Sequence, residues 1–402
     1  MQIEHCKSIQ MDLNFIKAFK VCNIETSSIN ATFLLNYEGK FYQISESLAI
    51  LICILGEVKN IKEATVKYNK IKNYNYTEKN ILFLINEYLI PIVEKNHPSG
   101  RIESFKFKKE LFTASIIAPV TKNLSFFFNP IVFKILITTL VVLLSFFIFH
   151  NKPQGFKLNT ESYFIISFCF FISVIIHELG HASACKYYNI EHGSIGFAIY
   201  LYFPVFYADV SNAWLLPRKK RVIIDFAGIY FQSIFLIPFI ICFFAIGNPI
   251  AYYIIFSIFF SFILDLNPFF KFDGYWIISD ALGIPNLREK THEIPKYLYS
   301  KYIKKQNSKK PFLFELKKVE KFCFLLYFVL ANLFFGYVFL YKIPYYLFVF
   351  LSTFPHEFKD IFYRFFNKNI PSFQETSLLL YKLFIGLLML YFCYNLIKRI
   401  FK

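Results

Sequence analysis

The sequence is short of three things, and each shortage argues against a class of protein. Its eight cysteines, at positions 6, 22, 53, 169, 185, 242, 323 and 393, include no Cys-x-x-Cys pair. That scatter argues against a cysteine-rich zinc site or a disulfide framework and reads as small buried hydrophobes. The opening MQIEHCKSIQ lacks the basic start and apolar stretch of a secretory signal, so insertion is expected to depend on internal helices. Acidic residues number only 27 against 44 Lys and Arg, a net charge of +17. Such a charge could suit nucleic acid, but no basic recognition helix with base-reading side chains stands out. No nucleic-acid partner is expected.

What abounds is apolar. Hydrophobic residues make up 56% of the 402 and aromatics 21%, above the roughly 45–50% apolar content of soluble domains. About 20 apolar residues cross a bilayer, and six stretches qualify: 127–149, 163–184, 222–246, 251–270, 322–341 and 378–397. The apolar run 195–206 is too short to span and reads as a membrane-dipping hairpin. Basic residues cluster before the first span (Arg101, Lys106, Lys108, Lys109, Lys122), before the third (218–221), between 288 and 318, and after the last (Lys398, Arg399, Lys402). Six crossings put all four clusters on one face, which the positive-inside rule makes cytoplasmic. Four basic residues in the loop 342–375 fall on the other face. The expectation is a multi-pass protein of the plasma or inner membrane, its N-terminus cytoplasmic, with secondary affinity for anionic lipid headgroups.

Residues up to about 120 differ, being charged, with short apolar runs. Residues 31–37 and 41–44 are strand-like about a Glu38-Gly39-Lys40 turn and predict a hairpin. Ser45 can cap a helix over 46–55, and Asn60 with Glu63 opens a second over 61–68. A third, over 78–89, carries Ile81, Leu82, Ile85, Tyr88 and Leu89 on one side and is expected to stop at Pro91.

The chemistry concentrates in His177-Glu178-Leu179-Gly180-His181, which follows the apolar YFIISFCFFISVII. Two imidazoles four apart on a helix project from nearly the same side and can share one metal ion. Glu178, on an adjacent edge, can take a proton from a water the metal polarises. Ionisable groups at membrane depth are costly without a purpose. A third ligand is available in Asp273, at the end of the fourth span within NPFFKFDGYW, and the topology returns it to the face of His177 and His181. Asp225 and Asp265 are the alternatives, otherwise read as interhelical or helix-end partners. Asp273 could instead cap a turn beside Gly274, and Asn267 could satisfy backbone freed by Pro268. His97, His192 and His292 have no partner at ligand spacing and read as solvated.

Three segments carry a resemblance. The His-Glu-x-x-His helix, AGIYFQ (227–232) and the Asn-Pro then Asp-Gly pairs are similar to the site-2 protease family of intramembrane zinc metalloproteases. YADVSNAW (207–214), NPFFKFDGYW (267–276) and PNLR (285–288) resemble its peptide zinc metalloprotease branch. The resemblance covers about 160–290. It implies Zn2+ held by His177, His181 and Asp273, Glu178 as general base, and Asn267 orienting substrate or stabilising the oxyanion. The chain departs from the family's pattern in having Ala-Gly-Ile with Gln232, where Ala-Gly-Pro with Asn is common, and four residues between Asn267-Pro268 and Asp273-Gly274. No PDZ-like insert separates the spans. Residues 33–55 and NIKEATVKY resemble PqqD-like peptide-recognition domains, which add a peptide to a sheet edge.

The expected fold class is an all-α polytopic membrane protein of about six transmembrane helices plus the dipping hairpin, with a small α+β winged-helix-like N-terminal domain. Residues 1–120 are expected to form a cytoplasmic PqqD-like head and basic linker, 121–290 a zinc metalloprotease core, and 291–402 a basic loop and the last spans. The expected function is a membrane-embedded zinc endopeptidase, acting in maturation or export of a ribosomally made modified peptide. Its expected partners are the peptide substrate, the lipid bilayer, and a peptide exporter or modification enzymes. Two other readings stand beside it: a non-catalytic docking subunit of a peptide-export or modification complex, and a signalling intramembrane protease.

Overall fold

In the N-terminal head, three strands form an antiparallel sheet in the order β1-β2-β3: β1 (Lys20–Ile24), β2 (Thr32–Tyr37) and β3 (Lys40–Ile44). The computed structural model describes residues 13–29, 31–58, 60–95, 105–150, 158–200, 203–306, 310–367 and 372–400; His97 and the first ten residues lie outside them. Glu38 and Gly39 both take positive φ, 49° and 77°, the pair a two-residue turn needs if it is to match strand twist. Strand β1, unexpected from the sequence, pairs Val21 with Leu35. Helices α1 (Glu46–Glu57), α2 (Ile61–Lys72) and α3 (Glu78–Leu84) follow, and the side chains of Ser45, Asn60 and Thr77 accept from the first-turn N–H groups of each. Leu35, Leu51, Ile81, Ile85 and Leu89 are fully buried between sheet and helices.

Pro91 does not end the third helix. A π-turn over Ile85–Leu89 leads into α4 (Ile90–Lys95). A wider turn, in which Ile90 N–H reaches Ile85 O, leaves room for a ring that lacks a donor.

The body begins with a second sheet. Strands β4 (Phe105–Phe112), β5 (Ile195–Tyr200) and β6 (Phe203–Ala208) pair antiparallel in that order. The expected hairpin is present as β5 and β6, but its third strand comes from the segment read as a basic linker. FKFKKELF alternates apolar and charged residues only over Phe105–Lys108, and its residues 107–112 are exposed, with register shifts between Phe105 and Phe107 and between Glu110 and Phe112. The body is therefore mostly helical rather than all-α.

Helices α5 (Ala114–Leu124), α6 (Pro130–His150), α7 (Thr160–Tyr187), α8 (Arg218–Ile246), α9 (Pro249–Asp265), α10 (Asp273–Leu282) and α11 (Leu287–Leu298) complete this unit. Among the described residues, five helical stretches are long and apolar enough to cross a membrane: Pro130–His150, Thr160–Tyr187, Arg218–Ile246, Lys318–Phe366 and Glu375–Asn395. Six were expected. The fourth of those, α9, has only 17 residues, about 26 Å of helix against a hydrocarbon core of roughly 30 Å. In α8, 44% of the span is buried against 6% in α6, so α8 is central and α6 turns Ile131, Ile135, Val141 and Phe149 outward.

In lipid, apolar contact between helices gains little over contact with acyl chains, so small residues that allow close approach decide pairing. Gly180 of α7 meets the Ala227 carbonyl of α8 so closely that a Cβ would collide with it. One buried ion pair fixes α10 on α8. Arg221, fully buried, donates from Nε to Asp280 Oδ1 at 2.9 Å, from Nη1 to Leu216 O and from Nη2 to Glu25 O. Replacing Arg221 with Met removes the ion-pair partner of the Asp280 carboxylate, an expected cost of about 3–5 kcal/mol. Thermal unfolding in detergent should show that loss, and a double Arg221→Met, Asp280→Leu variant should recover only the share due to the carboxylate, because the Leu216 and Glu25 carbonyls still lack their Arg221 donors.

The chain divides into two compact units, the second running from Phe322. It comprises most of α12 (Lys318–Tyr337) together with α13 (Ile343–Phe366) and α14 (Phe373–Ile400). Gly386 lies against the Phe350 ring, and Lys382 donates to both Glu357 oxygens at 2.6 and 2.8 Å.

Candidate metal centre

Three side chains from two distant segments converge where α7, α8 and the start of α10 meet. His177 Nε2 lies 2.8 Å and His181 Nε2 3.2 Å from Asp273 Oδ2, and the two Nε2 atoms are 3.1 Å apart. Bonds of about 2.0–2.1 Å to a tetrahedral divalent ion place neighbouring ligand atoms about 3.3 Å apart, close to this triangle. Asp273 opens α10, where the helix N-terminus favours a carboxylate.

The chemistry of the donors also fits a cation. His181 Nδ1 is 2.7 Å from the Ile224 carbonyl, so it must donate there, and its Nε2 presents a lone pair to the cluster. His177 Nδ1 faces Gln232 Oε1 at 3.2 Å. Asp273 Oδ2 is buried and receives no hydrogen bond. Crowded acceptors of this kind repel one another unless positive charge lies between them.

Glu178 is buried beside this cluster and outside it, its carboxyl hydrogen-bonded to the Ala208 backbone at the end of β6. All four residues border a cavity of about 500 Å³. Asp225, Gln232 and Asp265 also line it, while Phe170, Phe171 and Phe206 make an apolar wall. The two alternative ligands therefore share the cavity, yet among the described residues only His177, His181 and Asp273 bring ligand atoms together. Asn267 does not line the cavity. Its Oδ1 accepts from Phe269 N–H at 2.9 Å and Phe270 N–H at 3.3 Å, shaping the turn after α9.

Sequence reasoning missed two contributors. Gly228 faces the imidazoles so closely that a Cβ would overlap both Nε2 atoms, the one at His181 at 2.5 Å. Gly228→Ala should preserve helicity yet weaken metal binding about 10–100-fold, taking overpacking at about 1–3 kcal/mol; a competitive chelator titration measures it. Ala208 is the other, its backbone brought to Glu178 by the packing of β6 against α7. His192, read as solvated, is buried, with Nε2 2.9 Å from Thr121 Oγ1 on α5; burial lowers its pKa. His292 is exposed as expected.

Compared with curated proteins, 127 residues of the chain, 31% of its length, align at 27% identity with YydH of Bacillus subtilis (strain 168). That protein bears the provisional name peptide zinc metalloprotease protein. The alignment spans half of the relative's length. No family model matches the chain, and no solved structure matches it.

Proposed function

We propose that this chain is a membrane-embedded zinc endopeptidase of the site-2 protease type. The carrying observation is the meeting of His177 Nε2, His181 Nε2 and Asp273 Oδ2 beside the carboxylate of Glu178 in one cavity. The name of the distant relative supports zinc and proteolysis in general terms.

His177, His181 and Asp273 would hold the metal. When bound, zinc supplies a Lewis acid that lowers the pKa of water to about 7 and polarises a carbonyl. Glu178 accepts the proton of the attacking water and returns it to the leaving amine, with the Ala208 backbone steadying the carboxyl. The apolar wall receives substrate side chains and limits water. Strand β6 is the outer strand of its sheet and lines the cavity with Pro204, Val205, Tyr207 and Ala208, so an extended peptide can lie along it by backbone hydrogen bonds. Asn267 acts by shaping the turn that delivers Asp273.

The substrate we propose is a precursor peptide of a ribosomal modification pathway, matured at the cytoplasmic face of the cell membrane beside its exporter and modification enzymes. The head, with its three-stranded sheet and helices α1 to α4, is the proposed docking module for that precursor. The test is metal analysis of the purified full chain together with cleavage of candidate precursors read by mass spectrometry. Stoichiometric zinc and cleavage abolished by a chelator and restored by zinc are expected. Cleavage that survives complete removal of zinc would sink the reading.

A further inference from the structure

Gln232 stands at the centre of a polar set with no other place in the reaction described above. It lies on α8, four residues after Gly228 and eight after Ile224, so these three form one stripe facing α7. The Ile224 carbonyl takes the Nδ1 proton of His181, and Gly228 leaves space for both rings. Gln232 is 1% exposed, its Oε1 3.2 Å from His177 Nδ1.

The orientation of its amide is determined by two serines. Gln232 Nε2 lies 3.1 Å from Ser173 Oγ on α7 and 3.3 Å from Ser261 Oγ on α9. Both hydroxyls already donate to backbone carbonyls of their own helices, Ser173 to Phe170 O at 2.6 Å and Ser261 to Ile258 O at 2.8 Å. Each can therefore only accept from the amide, so Nε2 must face the serines and Oε1 must face the imidazole. An acceptor at Nδ1 requires the proton of neutral His177 to sit there, which frees Nε2 for the metal. Turning the amide over would set N–H against Nδ1 and leave the serines without a donor, at a cost of about 1–3 kcal/mol per orphaned buried group.

We infer that Gln232 is a positioning residue for the metal, holding His177 in the tautomer and ring orientation that point Nε2 at the ion, with Ser173 and Ser261 setting its amide. The inference rests on the zinc reading above and adds the residue that tunes its affinity. Outer partners of ligating imidazoles commonly contribute 10–100-fold in metal affinity.

The test measures zinc affinity of the full chain in detergent by competition with a chromophoric chelator. Gln232→Met keeps length and apolar fit but removes the acceptor, and should bind zinc about 10–100-fold more weakly. Gln232→Glu, held neutral by burial, keeps an acceptor toward Nδ1 and an O–H donor toward the serines; it should restore affinity to within about threefold. Equal affinity in wild type and Gln232→Met overturns the inference. So does a Gln232→Glu variant as weak as Gln232→Met, because packing alone would then explain the loss. Wild-type protein labelled with 15N-histidine gives a readout that depends on no variant folding. The two imidazoles that shift on zinc addition should both carry their proton on Nδ1, and a zinc-responsive ring protonated at Nε2 overturns the assignment. Wild-type chain that binds no zinc would instead defeat the parent reading, an outcome separable from all of these.

Discussion

Asp273→Ala is expected to lower zinc affinity by about 10²–10³-fold and abolish cleavage, whereas Asp265→Ala should leave zinc binding nearly intact. Structural zinc sites of four protein ligands bind with about 10–16 kcal/mol, so one ligand is worth roughly 3–4 kcal/mol, with about 1.4 kcal/mol per decade. The structure distinguishes the two carboxylates. Asp273 Oδ2 is within 3.2 Å of both Nε2 atoms, while Asp265 lines the same cavity without joining the ligand cluster. The measurement is zinc content after dialysis against a graded chelator. Should Asp265→Ala lose the metal and Asp273→Ala keep it, the third ligand has been misassigned.

Glu178→Gln is expected to separate binding from chemistry. The substitution preserves shape, and its amide oxygen can still accept from the Ala208 backbone, so zinc affinity should change no more than a few-fold. General-base removal typically costs about 10²–10⁴-fold in rate, and the loss should fall on kcat with KM little altered, since the same group accepts the proton and returns it. Single-turnover assays on the zinc-loaded variant read this directly. Wild-type turnover in Glu178→Gln would show that another group accepts the proton.

The pair of expected results depends on how far each residue is locally encoded. His177, Glu178 and His181 were legible because helical periodicity alone puts the two imidazoles on one side and Glu178 next to them. Asp273 was legible as a candidate through its Asp-Gly position at the end of an apolar stretch, though Asp225 and Asp265 were comparable carboxylates on paper. Gln232 and Gly228 could be read as departures or packing residues only, since their roles depend on the rotation of α8 about its axis relative to α7. That rotation follows from close approach at Gly180 and Ala227, which periodicity does not report. Asn267 looked like a substrate contact because of its motif, and the turn it caps is visible only once the backbone after α9 is placed.

Elsewhere, local signals competed. The lysines of FKFKKELF read as a topology marker and concealed β4, which forms by pairing with the distant β5. Pro91 read as a helix stop, and a π-turn accommodated it instead. The apolar stretch that became α9 reads as a full span until its helix ends at Asp265.

By itself the sequence determined that apolar helices dominate and that two imidazoles and a glutamate share one turn of helix, because each of these follows from composition or from spacing within a single segment. Only the tertiary structure decided which carboxylate completes the cluster, which amide and carbonyl hold the imidazoles, and which strand borders the cavity. Those outcomes depend on the distance and rotation between segments dozens of residues apart, which small residues at helix contacts and buried polar pairs such as Arg221 and Asp280 set together.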